Sequence, residues 1–224
     1  MIHFKCASSG SSGNCYSLND DGKIFLLDAG IPLTGIKRLV KWVVRDISGC
    51  FISHEHLDHS LSSDKLKNMG IPVFEPYKGG SQSFKSNGWQ MKSFELPHDD
   101  VENRGIYLIS PSGHRILYMT DFSFCKYTFT KLKVQTILIE CNHMDDIDEG
   151  SNENKFCHVV RGHSSLSTVC EFLRVNQTDE LKTVILCHLS ETNADESEML
   201  RQVQAVVGNS VNVHIAKKGV EIEL

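Results

Sequence analysis

The sequence predicts a mixed α/β fold built in layers, with sheets packed face to face and helices outside. Three observations carry the expectation. Strand-length apolar runs crowd the first half of the chain. In the second half such runs alternate with segments of helical period. The length, 224 residues with 40% apolar side chains, suits one sizeable domain spanning 1–224 with a real core.

Taken in order, IHFKC (2–6) and KIFLLD (23–28) read as strands on either side of a Ser/Gly loop and the turn NDDG (19–22). In TGIKRLVKWVV (34–44), Ile36, Leu39, Val40 and Val43 recur at helical spacing behind Thr34, a capping residue. On that helix Lys37 pairs with Lys41, and Arg38 with Arg45, each pair sharing a face. GCFIS (49–53) is a buried strand, and SSDKLKNMG (62–70) a short helix with serine at its start and glycine at its stop. IPVF, QMKSFEL, GIYLIS and RILYMT follow as strands, the last two joined by the hairpin signal PSGH. TILIE (Thr136–Glu140) and TVILC (Thr183–Cys187) read as fully buried strands. SSLSTVCEFLRV (164–175) and ADESEMLRQVQAVV (194–207) are helices, and VNVHIA and GVEIEL close the chain as strands.

Composition excludes several classes. No apolar run approaches the ~20 residues of a membrane-spanning helix, and the N-terminus lacks the basic-then-apolar pattern of a signal peptide. Eight cysteines are scattered without a C-x-x-C pair, mostly inside apolar runs. They read as reduced core thiols of a cytoplasmic protein. The net charge of −5 implies no broad basic field for nucleic acid.

The chemistry concentrates in HEHLDH, residues 54–59, at the end of the GCFIS strand. His54 and His56 share a face in an extended segment and not on a helix, so the stretch reads as a loop. The H-E-x-x-H zinc motif is excluded because Asp58 stands four residues after His54. A pair of metal ions remains, with His54 and His56 serving one and Asp58 and His59 the other. Further donors recur in one context, just after a strand: His98 after FELP, Asp121 after ILYMT and His188 after VILC. Strand ends converge on one edge of a sheet, where sites in open α/β folds lie.

This order, H-x-H-x-D-H followed by a strand-end His, a strand-end Asp and a late strand-end His, resembles the metallo-β-lactamase superfamily. SSGSSGNCY (8–16), LLDAG (26–30), IECNHMDD (139–146), RGHSSLS (161–167) and CHLSETN (187–193) are similar to its YycJ/VicX-type nuclease branch. The resemblance implies an αββα sandwich. It implies that His54, His56 and His98 bind a first metal, that Asp58, His59 and His188 bind a second, and that Asp121 bridges. Zinc stands first as the ion, with manganese and iron also suited. The expected activity is hydrolysis of a phosphodiester, in DNA or RNA, by a hydroxide shared between the metals and oriented by Asp58. His163, or second to it His143, is the candidate to protonate the leaving oxygen, because a similar G-H-S element faces the phosphate in ribonuclease Z-like relatives. Asn142 and Ser164 are candidate pocket residues, and the Ser/Gly loop, with Ser12 and Asn14, a candidate phosphate cradle. Two other readings stand beside the nuclease. The acidic net charge favours a small substrate, hence a cyclic-nucleotide phosphodiesterase; a non-catalytic metal-binding module is disfavoured by the complete donor set. The fold by itself leaves thioester and lactam hydrolysis open.

Overall fold

In the computed structural model, which describes residues 1–99, 101–146 and 161–224, the apolar runs assemble into two sheets. The first contains β1 (Ile2–Ser8), β2 (Cys15–Asp20), β3 (Lys23–Leu27), β4 (Ile47–Phe51), β5 (Val73–Phe74) and β13 (Glu221–Glu223), in the order β13-β1-β2-β3-β4-β5. The second contains β6 (Ser83–Ser86), β7 (Trp89–His98), β8 (Val101–Ile109), β9 (Arg115–Met119), β10 (Thr136–Glu140), β11 (Thr183–Cys187) and β12 (Asn212–Ile215), in the order β12-β11-β10-β9-β8-β7-β6. β9 to β12 run parallel, and so do β3, β4 and β5. β10 and β11, buried at every position, are flanked on both sides by parallel neighbours, which explains their unbroken apolar sequences.

Three cores separate four layers. Phe4, Tyr16, Phe25, Trp89, Leu108 and Tyr118 pack between the sheets. The helices α4 (Leu166–Asn176) and α5 (Glu196–Val207) cover the second sheet, placing Val169, Leu173, Met199 and Val203 on Leu117, Ile137 and Val184. Shorter helices, α1 (Leu33–Leu39) and α3 (Ser63–Asn68), close the first sheet through Ile36 and Leu66 against Leu26, Cys50 and Ile52. This is the αββα sandwich that the resemblance implies.

Four local features depart from the sequence reading. Residues 15–20 form β2, not loop and turn; its polar Ser17 and Asp20 are buried, and Asp20 accepts the Ser112 N–H at 2.7 Å from the second sheet. β6 was not signalled, since its pattern SFKS is mostly polar. The 34–44 helix is α1 alone. Pro32, not Thr34, holds its N-cap position, and the chain leaves the helix where Lys41 and Trp42 turn left-handed at φ 50° and 67°. The basic pairs therefore share no helical face. Finally, HEHLDH is only partly a loop: α2 (Leu57–Ser60) is a single helical turn carrying Asp58 and His59, stabilised where Ser60 Oγ donates to the Glu55 and His56 carbonyls. Of the cysteines, Cys6, Cys15, Cys50, Cys141, Cys170 and Cys187 are free and buried and Cys125 is free and half-buried, while Cys157 lies outside the described residues. Among the described residues no helix is long and apolar enough to cross a membrane.

Candidate metal centre

Two walls face each other across the ends of the sheets. The first is built from neighbouring segments. Asp28 follows β3 in a left-handed turn, φ 57°, and its carboxylate accepts from the Ser53 backbone N–H at 2.8 Å, just past β4. The loop after β1 and the segment after β3 close on α2: Asn14 N–H donates to the Asp58 carbonyl at 2.7 Å and Ala29 N–H to that of His59 at 2.8 Å. Gly30 packs so tightly that a Cβ there would lie 1.6 Å from the Asp58 carbonyl oxygen, which only glycine avoids. Asp58 and His59 are thus held by backbone on two sides.

The second wall is assembled from strand ends. His98 closes β7, and Glu140 closes β10. Asp121 and His188 lie just past β9 and β11, at φ 50° and 52°. The parallel, in-register pairing of β9, β10 and β11 brings these ends level.

Where the walls meet, the donors form adjoining groups. In one, His56 Nδ1 lies 3.0 Å from His54 Nε2 and 3.4 Å from His98 Nε2. Asp121 Oδ2 is 3.8 Å from His54 Nε2 and 3.9 Å from His98 Nε2. In the other, His59 Nε2 lies 3.4 Å from both Asp58 Oδ2 and Asp121 Oδ2, and His188 Nε2 lies 3.8 Å from Asp58 Oδ2. Donors about 2.0–2.2 Å from a tetrahedral cation stand about 3.3–3.6 Å apart, so the spacings match an ion-sized guest.

The reverse sides of the rings fit a metal as well. His59 Nδ1 donates to Asp28 at 2.7 Å, His98 Nδ1 to the Gly162 carbonyl at 2.7 Å, and His188 Nδ1 to Glu140 at 2.8 Å. His54 Nδ1 donates at 3.0 Å to Ser53 Oγ, which itself donates to Asp28. Each outer hydrogen bond occupies one ring nitrogen and leaves the other pointing inward, where a cation could take the place of a proton, the arrangement that metal-ligating histidines adopt. Among the described residues, His188 Nε2 is buried without a hydrogen-bond partner. Leaving such an atom unmatched costs about 1–3 kcal/mol, which a cation removes.

The electrostatics call for positive charge. Burial pushes the Asp121 carboxyl up, but His188 and His59 outweigh it and hold it well below the usual range. Burial opposes charge on His59 and His188 too. Asp121 and Asp28 nonetheless hold His59 well above its ordinary value, and Asp121, Asp58 and Glu140 raise His188 to about 10. His54, where burial dominates, is pushed well below its ordinary value.

A third group joins Asp121, Glu140, His163 and His188. Glu140 Oε1 accepts from His163 Nδ1 at 2.7 Å, and Oε2 from the Phe122 and Ser164 backbone N–H groups at 3.1 Å. Burial opposes ionisation of Glu140, yet His163 beside it outweighs that and holds it at about 2. The His163 ring stacks on His188 at 5.3 Å and stands 5.5 Å from His98, beside both donor groups.

The expected substrate contacts sit differently. Ser12 is exposed at its loop tip. Asn14 is buried, with Nδ2 3.0 Å from His59 Nε2 and Oδ1 accepting from Gly10 N–H. Asn142 Nδ2 donates to the His188 carbonyl at 2.9 Å. Ser164 is buried, its Oγ donating to Glu140. Among the described residues His143 joins none of the donor groups and its buried Nε2 finds no hydrogen-bond partner, while its Nδ1 donates to the Met144 carbonyl. Sequence reasoning missed Asp28 and Glu140. Their signal was an acid ending an apolar strand, in KIFLLD and TILIE, the context already read for Asp121.

Comparison with known proteins agrees with this geometry. Residues 9–113 match the metallo-beta-lactamase superfamily. The chain is 34% identical to the exodeoxyribonuclease YycJ of Bacillus anthracis, over an alignment covering 95% of this chain and 94% of that protein. It is 24% identical to the exodeoxyribonuclease WalJ of Streptococcus pneumoniae, covering 85% and 82%. Among solved structures, the metallo-beta-lactamase fold protein YhfI of Bacillus subtilis superposes with a TM-score of 0.74 at 17% identity, covering 100% of this chain and 99% of that one. The short form of human tRNase Z superposes with a TM-score of 0.62 at 14% identity, covering 99% and 98%. At these identities the structures speak for the fold.

Proposed function

The chain belongs to the metallo-beta-lactamase superfamily, and from that membership and the donor geometry we propose that it is a dinuclear metal-dependent nuclease acting on DNA. His54, His56 and His98 hold one divalent cation and Asp58, His59 and His188 the other. Asp121 reaches both; its Oδ2, 3.4–3.9 Å from ring nitrogens of His54, His59 and His98, is the observation that carries the reading. Imidazole and carboxylate without thiolate suit zinc, manganese and iron. When bound, such a pair neutralises charge on the phosphoryl oxygens and lowers the pKa of water toward neutrality.

The chain's own groups supply the rest. His163 carries the proton for the leaving oxygen. Burial works against its charge, but Glu140 at 2.7 Å outweighs burial and raises its pKa, so the acid form persists to higher pH than in a free imidazole. Glu140 also orients His188, tying the proton donor and one metal ligand to a single carboxylate. DNA as substrate rests on the exodeoxyribonuclease names of the two relatives. Free buried cysteines suit the cytoplasm, where such a nuclease meets DNA.

The test is turnover by the purified, metal-loaded chain on linear DNA, RNA and cyclic mononucleotides, with metal content measured in parallel. Two ions per chain and hydrolysis of DNA are expected. Hydrolysis of cyclic nucleotides with both polymers untouched would overturn the nuclease in favour of a phosphodiesterase.

A further inference from the structure

We propose that a basic cavity beside the metal centre, lined by Arg38, Lys41 and Lys218, grips the phosphates of a single nucleic-acid strand, with the Trp42 indole stacking on a base. The proposal rests on the nuclease reading and names how that site takes its polymer.

The cavity measures about 480 Å³ and opens between α1, β1 and the turn before β13. Four cations line it, Lys5, Arg38, Lys41 and Lys218, and one acid, Glu221. Glu221 is already taken by Lys5 at 2.6 Å. Elsewhere Glu196 pairs with Lys217 and Asp46 with Arg45. Arg38, Lys41 and Lys218 make no close ion pair among the described residues, so four cations against the single acid Glu221, which Lys5 and Lys41 both act on, leave the concavity net positive in a chain of net charge −5. Phosphates are the complement of such a cluster.

Position joins the cavity to the chemistry. Ser8 lines it, and the next residue, Ser9, accepts the His188 N–H at 2.9 Å. Ile31 lines it, and the preceding Gly30 packs on Asp58. The cavity and the donor group of Asp58 and His188 thus share two bounding segments, 8–9 and 30–31.

Backbone strain marks the same place. Lys41 and Trp42 are consecutive left-handed residues, a conformation unfavourable for L residues that persists where the surroundings impose it. The turn is pinned by Trp42 N–H to the Lys37 carbonyl at 2.7 Å, and it leaves the indole 64% exposed. The indole is not part of the cavity's lining but follows Lys41, which is, and an exposed indole one residue from such a cation offers a face for an unstacked base; a base free to stack implies a single strand.

The test uses the zinc-loaded full chain and a fluorescent phosphorothioate oligothymidylate, followed by anisotropy from low to high salt. Replacing Arg38→Gln, Lys41→Gln and Lys218→Gln together should weaken binding at least about tenfold. It should also flatten the plot of log affinity against log salt by about 2, near 0.7 for each phosphate no longer neutralised. Trp42→Ala should weaken binding several-fold with the slope unchanged, because stacking carries no charge. Turnover of bis-p-nitrophenyl phosphate, too small to reach the cavity, should be untouched by both. An unchanged slope in the triple variant overturns the proposal, and so does a matching loss on the small diester. Binding that behaves as expected in a chain that cleaves no polymer would instead break the nuclease reading and leave this inference standing.

Discussion

The two walls of the metal centre reach the same end by different means. In the first-sheet wall the donors crowd residues 54–59, and backbone hydrogen bonds from the adjoining loop and strand end hold them. In the second-sheet wall each donor arrives alone from its own strand, and the parallel register of β9, β10 and β11 does the gathering. Both walls nevertheless use one local device. Asp28, Asp121 and His188 all turn left-handed just beyond a strand, at φ 57°, 50° and 52°. Asp and His tolerate that region better than most residues, and a reversal there swings the side chain off the sheet and into the site. Each wall also has one buried acid that serves two or more side chains. Asp28 holds His59, Ser53 and the Tyr118 hydroxyl, while Glu140 holds His188, His163 and Ser164. The first acid only positions; in the proposed mechanism the second also governs the proton donor.

The largest effect is expected where the walls share an atom. Asp121→Ala should empty both sites and lower turnover roughly 10³-fold or more, the several kcal/mol that paired cations supply. Elemental analysis of the folded variant checks it, and one retained ion would deny the sharing. The next step separates the walls. His56→Ala and His188→Ala should each lose one metal while circular dichroism stays native; retention of both ions in either variant would dissolve the distinction. His163→Ala should reduce turnover by roughly 10²–10⁴-fold with metal content intact, and the loss should shrink on nitrophenyl esters, which leave without a proton. Equal loss on both substrate types would make His163 a phosphate contact instead. The smallest effects compare the two acids. Asp28→Asn and Glu140→Gln should each weaken metal retention about 10–100-fold. Only Glu140→Gln should also alter the pH profile: Glu140 raises the His163 pKa, the acid form is lost as pH rises through that value, and removing the charge should move this alkaline limb to lower pH. Identical profiles for the two variants would erase the contrast between the walls.

Much of this was legible beforehand, for reasons tied to particular residues. His54, His56, Asp58 and His59 announce themselves because one short segment carries them all. His98, Asp121 and His188 stand out because a polar residue ending an apolar run breaks the pattern of a buried strand. Asp28 and Glu140 end such runs too, yet nothing in a linear chain distinguishes an acid that stands among the inward-facing donors from one that holds an imidazole from behind. The 34–44 segment misled because helical spacing of apolar residues extends past Leu39, whereas the packing of Val40 and the turn at Lys41 and Trp42 decide where the helix stops.

By itself, then, the order of residues determined the kinds of donor, their sequence and their placement at strand ends, because periodicity and residue chemistry are local properties. Tertiary structure alone decided which nitrogen of each ring faces inward, that one Asp121 oxygen serves both groups, and that Lys218 joins Arg38 and Lys41 around one cavity. Those outcomes depend on distances set to within an ångström by the pairing of strands far apart in the chain, and pairing between remote segments leaves no periodic trace in either partner's sequence.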